Sequence, residues 1–283
     1  MHNPAQDTWQ TPPEPIATML DASPLPAVAF SPHADWIVEL GRTKLPNIEE
    51  LAEPKVAIAG LQINPQTWDT AKASHYESIS IRRRDEKTAR PIALPENPRI
   101  RNLQWSYCGQ FLSFTHTHIA PVEEDTIEEK SGLSLWVLDL EKAAAHALTG
   151  PILNATTGAS ARWLPDNSFI CKIRVDNGEP PVETTLPVGP IIEENLGRIA
   201  PARTYTNLLE NPHDEALLEY YFTSQLVHVS FTGEQTILTE PALYRGISPS
   251  PDGQWIKVTP THRPFSYQVP IARFSSRTYI LIR

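Results

Sequence analysis

Short alternating segments separated by compact polar turns dominate the hydrophobic pattern of the chain. The clearest turn, Ser-Pro-Asp-Gly at 250–253, leads into a segment in which aromatic or charged side chains alternate with Ile and Val. Proline presets the turn dihedral, aspartate bonds to its own backbone, and glycine accepts a positive φ. Weaker copies recur upstream, and the four copies occupy residues 30–38, 105–112, 163–170 and 250–258. Such a repeat predicts four equivalent hairpins.

A second set of hairpins interleaves with the first. Two arms of period-two alternation joined by turn residues occur at 78–94, 133–149 and 225–238. Since two hairpins make a four-stranded sheet, the radial series predicts an all-β fold, an incomplete β-propeller with short helices in its insertions. We expect about three four-stranded blades plus part of a fourth within 28–283. An extended lead-in over 1–27, with one helical turn at 16–20, should precede them.

Two long insertions interrupt this order. The first, 42–77, is predicted to hold a short helix at 46–52 and one strand at 56–63. The second, 175–220, ends in a predicted helix that Asn211 caps. A structureless loop as long as the rest of it is uncommon in a compact domain unless it has a function. We interpret it either as a surface arm or as a contact with another domain, with Arg198 and Arg203 as charged anchors.

Composition limits the function classes. With 283 residues, 40% of them hydrophobic, the chain can bury a substantial core, and 28 prolines disfavour long helices. A net charge of −9 argues against a nucleic-acid partner. The first 27 residues have neither a basic start nor a long apolar run, which argues against a signal peptide and a membrane span. Two cysteines, Cys108 and Cys171, make a disulfide framework improbable and favour a reducing compartment.

Alternating histidines invite a metal hypothesis. His116 and His118 should share one face of a strand, and imidazole is a common metal ligand. No cysteine follows at a useful spacing, and the nearby acids lie in an expected loop at 123–125. Because the ligand set is incomplete, the sequence predicts neither a metal site nor a cofactor.

Four strings make the chain recognisable. They occupy residues 99–106, 180–198, 202–209 and 263–270. Together they resemble the propeller half of glutamyl endopeptidases, members of the prolyl oligopeptidase family of serine peptidases that include the chloroplast stromal enzyme and cyanobacterial relatives. The resemblance covers nearly the whole chain. It departs from the family at Tyr107-Cys108, where the family has Pro-Asp, and at an acidic insertion over 119–130.

The resemblance implies a two-part enzyme, in which an N-terminal propeller caps an α/β-hydrolase domain that supplies serine, aspartate and histidine. Such enzymes hold the serine in a G-x-S-x-G turn. The nearest match, at 246–250, has Pro249 where a backbone N–H serves the oxyanion, and Ser250 in place of the second glycine. The resemblance therefore implies that the catalytic domain is absent here and that no catalytic residue can be transferred.

The expected role is substrate gating. In the intact enzyme the propeller would restrict access of peptide substrates, with the hydrolase domain as its partner, and the chain alone should not hydrolyse peptides. The alternative is a free-standing propeller that binds peptides or proteins. An apolar edge strand expected at 277–283 adds self-association as a further expectation. The expected location is the cytoplasm, or the plastid stroma if the chain is a chloroplast relative.

Overall fold

A computed structural model describes residues 12–42, 45–46, 48–71, 74–120, 130–183 and 205–283 of the chain, and structural statements concern these ranges. Their helices are α1 (Glu14–Asp21), α2 (Ile48–Ala52), α3 (Pro212–Phe222) and a single 3₁₀ turn (Ile271–Arg273). The helical turn predicted at 16–20 within the extended lead-in is present and is longer than predicted, with two turns over Glu14–Asp21 and a proline in the first turn presetting φ. The longest helix has eleven residues, so none within these ranges could cross a bilayer.

Antiparallel strands make up most of the described chain. In chain order they are β1 (Ala27–Phe30), β2 (Trp36–Arg42), β3 (Val56–Ile58), β4 (Leu61–Asn64), β5 (Asp69–Thr70), β6 (Tyr76–Arg83), β7 (Arg90–Pro91), β8 (Ile100–Trp105), β9 (Phe111–His118), β10 (Gly132–Asp139), β11 (Ala144–Ala147), β12 (Ala161–Trp163), β13 (Phe169–Arg174), β14 (Ser224–Val229), β15 (Gln235–Ile237), β16 (Leu243–Pro249), β17 (Trp255–Thr261) and β18 (Tyr279–Ile282).

Four successive meanders organise these strands. Blade 1 is β1-β2-β6-β7, blade 2 is β8-β9-β10-β11, blade 3 is β12-β13-β14-β15, and blade 4 is β16-β17-β18. Blades 1 and 2 also touch edge to edge at one pair, Tyr76 with Ile100. The strands β3, β4 and β5 form a separate small sheet inside the first insertion. Strand order within each blade follows chain order, as the interleaved hairpins predicted.

A recurring serine explains why the first turn of a blade is so regular. Ser31, Ser106 and Ser250 each end a first strand, and each Oγ accepts the N–H of the residue that opens the second strand, at 3.0 to 3.1 Å. In blade 4 the turn also needs Gly253, whose φ is +70°. The turn of blade 3 has Leu164 at this position and lacks the hydroxyl. It keeps the backbone bond across the turn that the other three blades also have, and the Ser168 N–H donates to Asp166 Oδ1 at 3.1 Å.

Neighbouring blades share hydrophobic cores. One core joins blades 1 and 2 through residues such as Val38, Ile81 and Phe114. A second joins blades 2 and 3 around Trp163, and a third joins blades 3 and 4 around Ile256. Because blades 2 and 3 each pack their two faces against different neighbours, the sheets form a radial series. The prediction of an incomplete β-propeller is confirmed.

Candidate functional site

Long connections gather at one end of the blades. The turns from first to second strand and from third to fourth strand are short, whereas the connection from second to third strand is long in every blade. These connections span 43–75, 119–131, 175–223 and 262–278. Strands of a meander alternate in direction, so equivalent connections leave from the same end of their blades. We call the described parts of 45–71, 205–223 and 262–278 the cap.

The cap has a hydrophobic core of its own. The ring of Trp68, from the first insertion, lies 5.5 Å from the ring of Tyr220 and 5.4 Å from that of Tyr221, both in α3. Blades 1, 3 and 4 all contribute to this core, whose buried members are Ile58, Ala59, Ile63, Trp68, Leu209, Leu218, Tyr221, Phe222, Phe265, Ile271 and Phe274. The insertions are therefore one packed layer rather than separate loops.

A tight turn joins the three parts of the cap. The single strand predicted at 56–63 is wrong, because Ala59 and Gly60 have φ of +49° and +84° and split it into the hairpin β3-β4. The Gly60 N–H donates to the Asn207 carbonyl at 2.7 Å, and the Ile271 N–H donates to the Ala59 carbonyl at 2.8 Å. A Cβ on Gly60 would lie 2.3 Å from the Pro270 side chain, so glycine is required.

Arginines tie the cap together and hold it to the blades. Arg263 bonds Glu219 at 2.7 Å and also pairs with Glu215, which links the fourth connection to α3. Arg174, at the end of β13, donates to the Thr67 carbonyl at 2.8 Å and lies over the ring of Trp68. Arginine suits both contacts because its planar guanidinium forms several directed bonds at once.

We expect replacement of Trp68 by alanine to loosen the cap while the blades stay folded. Trp68 fills the centre of the cap core, and its carbonyl accepts the Ala155 N–H at 2.9 Å. Loss of a large core aromatic should speed hydrogen exchange in 56–64 and 212–222 by at least about tenfold. Peptides from β9 and β10 should keep their protection. Leu51→Ala, at an exposed position in α2, is the control and should change neither region.

That experiment also tests whether the cap is an independent layer. If exchange accelerates equally in the cap and in the blades, the cap core is part of one cooperative unit with the propeller. An unchanged exchange rate in α3 would mean that the Trp68 contacts do not hold the helix in place.

A polar pocket lies between the cap and the first strand of blade 2. It has a volume of about 360 Å³, and its lining includes Glu53, Asp69, Thr70, His75, Arg99 and Arg101. Arg101 pairs with Asp69 and donates to Thr70 Oγ1 at 3.2 Å, while Arg99 pairs with Glu53. Both arginines of the pocket are thus held by carboxylates. That arrangement suits the binding of a polar ligand better than proton transfer.

Burial shifts the pKa values of two side chains in the pocket. Burial raises the pKa of Asp69, although the Arg101 guanidinium opposes this by favouring the carboxylate. Burial also lowers the pKa of His75, so its imidazole is more readily neutral than a free histidine. The sequence marks 99–106 as a family string but does not predict the pocket, because the acids of the pocket come from the first insertion, which is distant in sequence.

The two histidines of the metal hypothesis lie on the face of blade 2 that packs against blade 1. His116 is buried, with its ring edge-on to that of Trp136 at 6.0 Å between centroids. Burial lowers the pKa of His116 to about 4, so the ring is neutral at physiological pH. Among the described residues no group of three or more His, Cys, Asp or Glu side chains could hold a metal ion.

Arg198 and Arg203 lie outside the described residues, so their contact with another domain stays a prediction. Three of the family strings have described residues in the cap or next to it. Arg99 and Arg101 from the first string line the pocket, and Phe265 from the last belongs to the cap core. Leu209, from the described part of the third string, belongs to the same core, so the described residues of the first, third and last strings include members at this end of the propeller.

One serine–histidine contact resembles a catalytic pair but has the wrong geometry. Ser168 Oγ lies 2.9 Å from His228 Nε2 and donates to Asp166 Oδ1 at 2.5 Å. A catalytic triad places the carboxylate on the histidine rather than on the serine. The Arg283 guanidinium also contacts Asp166, Ser168 and His228, which ties β18 to blade 3. We assign this cluster a structural role.

Comparison with known proteins gives close sequence relatives. A probable chloroplastic glutamyl endopeptidase of Oryza sativa subsp. japonica is 36% identical over 279 residues, which cover 95% of this chain and 29% of the rice protein. Its counterpart in Arabidopsis thaliana is 31% identical over 283 residues, covering 96% of this chain and 29% of that protein. The chain thus spans under a third of the length of these relatives. No family model matches it.

Solved structures align more weakly. The acylaminoacyl peptidase of Pyrococcus horikoshii aligns with 90% of this chain and 30% of its own, at 14% identity and a TM-score of 0.42. The identification therefore rests on sequence. By fold the chain is a propeller segment with a packed cap at one end. By sequence it is similar, along nearly its whole length, to under a third of each of these two probable chloroplastic glutamyl endopeptidases.

Proposed function

We propose that the chain is the N-terminal propeller portion of a glutamyl-endopeptidase-like serine peptidase and that it controls the access of peptide substrates to a hydrolase domain. The observation that carries the proposal is the 36% identity to the rice protein along 95% of this chain. Proteolysis, the glutamyl preference and the hydrolase partner belong to the whole protein. The role of this part is to restrict and shape what reaches the active site.

The cap is the element that would act on substrate. It packs its own core at one end of the blades. In the whole protein we propose that it narrows the path along the propeller axis, so that only an extended chain could pass beside it. The pocket next to it offers paired charges and hydroxyl groups that can exchange hydrogen bonds with an extended polar peptide. We expect folded proteins to be excluded and flexible peptides to be admitted.

We propose that this chain supplies none of the groups that cleave the peptide bond. Ser248, in the nearest match to the nucleophile motif, lies on β16 in a regular strand and is followed by Pro249. A strand residue lacks the sharp strand-to-helix turn that exposes a catalytic serine. Serine, histidine and aspartate would come from the hydrolase domain. We propose neither a metal nor a cofactor.

The compartment follows from the same proposal. A net charge of −9 and two free cysteines suit a reducing compartment without nucleic-acid or membrane partners. We propose the cytoplasm, or the plastid stroma if the chain is a chloroplast relative.

A chimeric enzyme tests the proposal. This chain would replace the matching segment of the rice protein, with the isolated chain as the control. We expect the chimera to react with a fluorophosphonate serine probe and to cleave short Glu-containing peptides. The isolated chain should do neither. Introducing Trp68→Ala into the chimera should raise cleavage of an unfolded protein relative to a short peptide, because a looser cap admits bulkier substrate.

Two results would count against the proposal. Labelling or cleavage by the isolated chain would place a nucleophile within these 283 residues. The second result concerns a folded chimera that cleaves short peptides. If its ratio of unfolded-protein cleavage to short-peptide cleavage is the same with Trp68 and with Trp68→Ala, the propeller has no gating role.

A second candidate function is a free-standing propeller that binds peptides or proteins. The polar pocket favours it, because its arginines are positioned by carboxylates and need no further domain to hold them. Saturable binding of a polar peptide to the isolated chain, abolished by Arg101→Ala, would support this candidate over the peptidase part.

A further inference from the structure

A second cavity lies beside the polar pocket, at the seam where blades 1 and 2 touch edge to edge. We call it the seam pocket. It has a volume of about 450 Å³, and its lining consists of Arg42, Ser74, His75, Tyr76, Arg101 and Asn102. These residues come from the end of β2, from the start of β6 with the two residues before it, and from β8. Three separate stretches of chain therefore surround the seam pocket.

The seam pocket offers hydrogen-bond donors without an acid. Each side chain in its lining carries at least one N–H or O–H group, and none of these side chains is a carboxylate. Arg42 is exposed and forms no ion pair with a carboxylate of the described residues. The whole chain carries a net charge of −9, so this local composition is opposite to that of the molecule. A cavity of this kind favours an anionic ligand.

The pairing of Arg101 is compatible with such a ligand. Arg101 pairs with Asp69 and donates to Thr70 Oγ1 at 3.2 Å, and both of these partners line the polar pocket but not the seam pocket. A guanidinium has five N–H donors, so these bonds hold it in place and leave donors for a ligand. The net positive charge of the seam pocket therefore comes from Arg42, and Arg101 adds positioned N–H groups.

Two strand irregularities bring these arginines to one cavity. The pairing of β2 with β6 shifts register between Gly41 and Arg42, and the pairing of β8 with β9 shifts between Arg101 and Gln104. Asn102, inside the second irregularity, has a φ of +53°, and its side-chain amide donates to the hydroxyl of buried Thr115 at 3.0 Å. Because a bulge turns side chains out of the regular alternation, two blades can direct arginines toward the same space.

We propose that the seam pocket binds the phosphate group of a small phosphorylated molecule. A phosphate ester presents three terminal oxygens and accepts donors from several directions, whereas a single arginine can satisfy both oxygens of a planar carboxylate. Donors from three stretches of chain match the phosphate. The volume falls in the range of about 300–1,000 Å³ that small-molecule sites occupy. A free phosphate ion would fill only part of it, so the phosphate is carried on an organic group.

Isothermal titration calorimetry of the chain with three probes tests the proposal. The probes are glycerol 3-phosphate, inorganic phosphate and succinate, in a buffer that contains no phosphate. We expect one glycerol 3-phosphate to bind per chain, at least about tenfold more tightly than inorganic phosphate, because its organic group also contacts the cavity. Succinate should bind at least about tenfold more weakly than inorganic phosphate, because its planar carboxylates leave donors of the cavity unpaired.

Variants of the lining locate the bound phosphate. Arg42→Gln removes the charge at an exposed position and should weaken glycerol 3-phosphate binding at least about tenfold. Tyr76→Phe removes one hydroxyl but keeps the ring that packs against the core of blades 1 and 2, and it should weaken binding by about threefold or more. Arg277→Gln, at an exposed arginine of the fourth connection, is the matched control and should bind like the wild type.

Circular dichroism and the thermal midpoint should show that all three variants fold like the wild type. The same titrations on the chimera with the rice protein repeat the measurement within a full-length enzyme. The binding step involves no cleavage, so a failure here leaves the gating role to be decided by the peptidase assays of the chimera.

Four outcomes would overturn the proposal. A folded chain that binds neither phosphate compound up to about 10 mM has no phosphate site. If Arg42→Gln binds like the wild type, the ligand lies elsewhere on the molecule. Equal affinity for glycerol 3-phosphate and for inorganic phosphate or succinate would mean that the cavity selects neither an organic group nor a phosphate. Tighter binding of a phosphoserine peptide than of glycerol 3-phosphate would assign the site to a phosphorylated protein instead of a small molecule.

Discussion

Replacing Trp163 by alanine should lower the free energy of unfolding by roughly 3–5 kcal/mol. Trp163 is 4% exposed in the core that blades 2 and 3 share, and its ring centroid lies 4.0 Å from that of Phe169. Its indole N–H donates to the Gln104 carbonyl of blade 2 at 3.0 Å. Alanine would leave a cavity between two blades and remove the hydrogen bond that crosses between them, so that the Gln104 carbonyl keeps only the Ser113 hydroxyl as a side-chain donor.

Urea unfolding followed by fluorescence and circular dichroism measures this loss. Tyr107→Ala, at an exposed turn position, is the control and should change stability by less than about 0.5 kcal/mol. The two probes should agree, and the slope with denaturant should not change, since a changed slope would mean an altered unfolded or native state. A loss below about 1 kcal/mol at Trp163 would contradict the packing of blades 2 and 3 described above.

The repeat predicts that Trp105 and Trp163 occupy equivalent positions. In the structure the two side chains differ in how deeply they are buried. Trp105 is at the edge of the core between blades 1 and 2 and is only partly buried. Alignment of the four turns gives the strand and the direction of each side chain, because both follow from local alternation. It does not give the depth of burial, which depends on how closely the neighbouring blade approaches.

Local chemistry explains which parts of the fold were predictable. The first turn of three blades depends on a serine that bonds the backbone five residues later, and this interaction lies within one short string. The helix α3 was predicted for the same reason, since Asn211 Oδ1 accepts the Asp214 N–H at 2.9 Å. Elements closed by contacts within a few residues can be read from sequence order alone.

The cap could not be predicted in that way. Its core combines Trp68, Phe222 and Phe274, each of which is more than fifty residues from the next along the chain, and the three belong to no common period. The turn at Ala59–Gly60 carries no proline, asparagine or aspartate, so a continuous strand was the natural expectation. The polar pocket has the same origin, because Arg101 and Asp69 meet only after the first insertion has packed against blade 2. Contacts between residues far apart in sequence therefore determine the structure of this end of the molecule.

Lys172 is a further case in which a neighbouring blade decides the outcome. Alternation in β13 puts Lys172 on the same face as Ile170, and that face would suit a lysine if it were solvated. Blade 4 covers it, so Lys172 is 1% exposed and its Nζ donates to the carbonyls of Thr157 and Tyr244. Both acceptors are neutral, so no carboxylate compensates for the burial of the charge.

The direction of the pH effect follows from this burial. Loss of hydration lowers the pKa of Lys172 to about 7, and the positive charge of Arg162 adds to the shift. In the unfolded chain a lysine has a pKa of about 10.4. Between these values the unfolded state binds the proton and the folded state does not, so stability rises with pH. Below pH 7 both states are protonated, and the penalty for burying the charge is fully present.

We therefore expect the stability of the wild type to rise relative to Lys172→Met by up to about 1.4 kcal/mol per pH unit between pH 7 and about pH 10. Below pH 7 the difference between the two proteins should be constant, because Lys172 then no longer titrates. Urea unfolding at successive pH values measures it, and subtracting the variant removes the contribution of every other titrating group. Lys142→Met, at an exposed lysine paired with Asp139, is the control and should follow the wild type across this range. Parallel curves for the wild type and Lys172→Met would mean that Lys172 keeps its proton in the folded state and that water reaches the junction between blades 3 and 4.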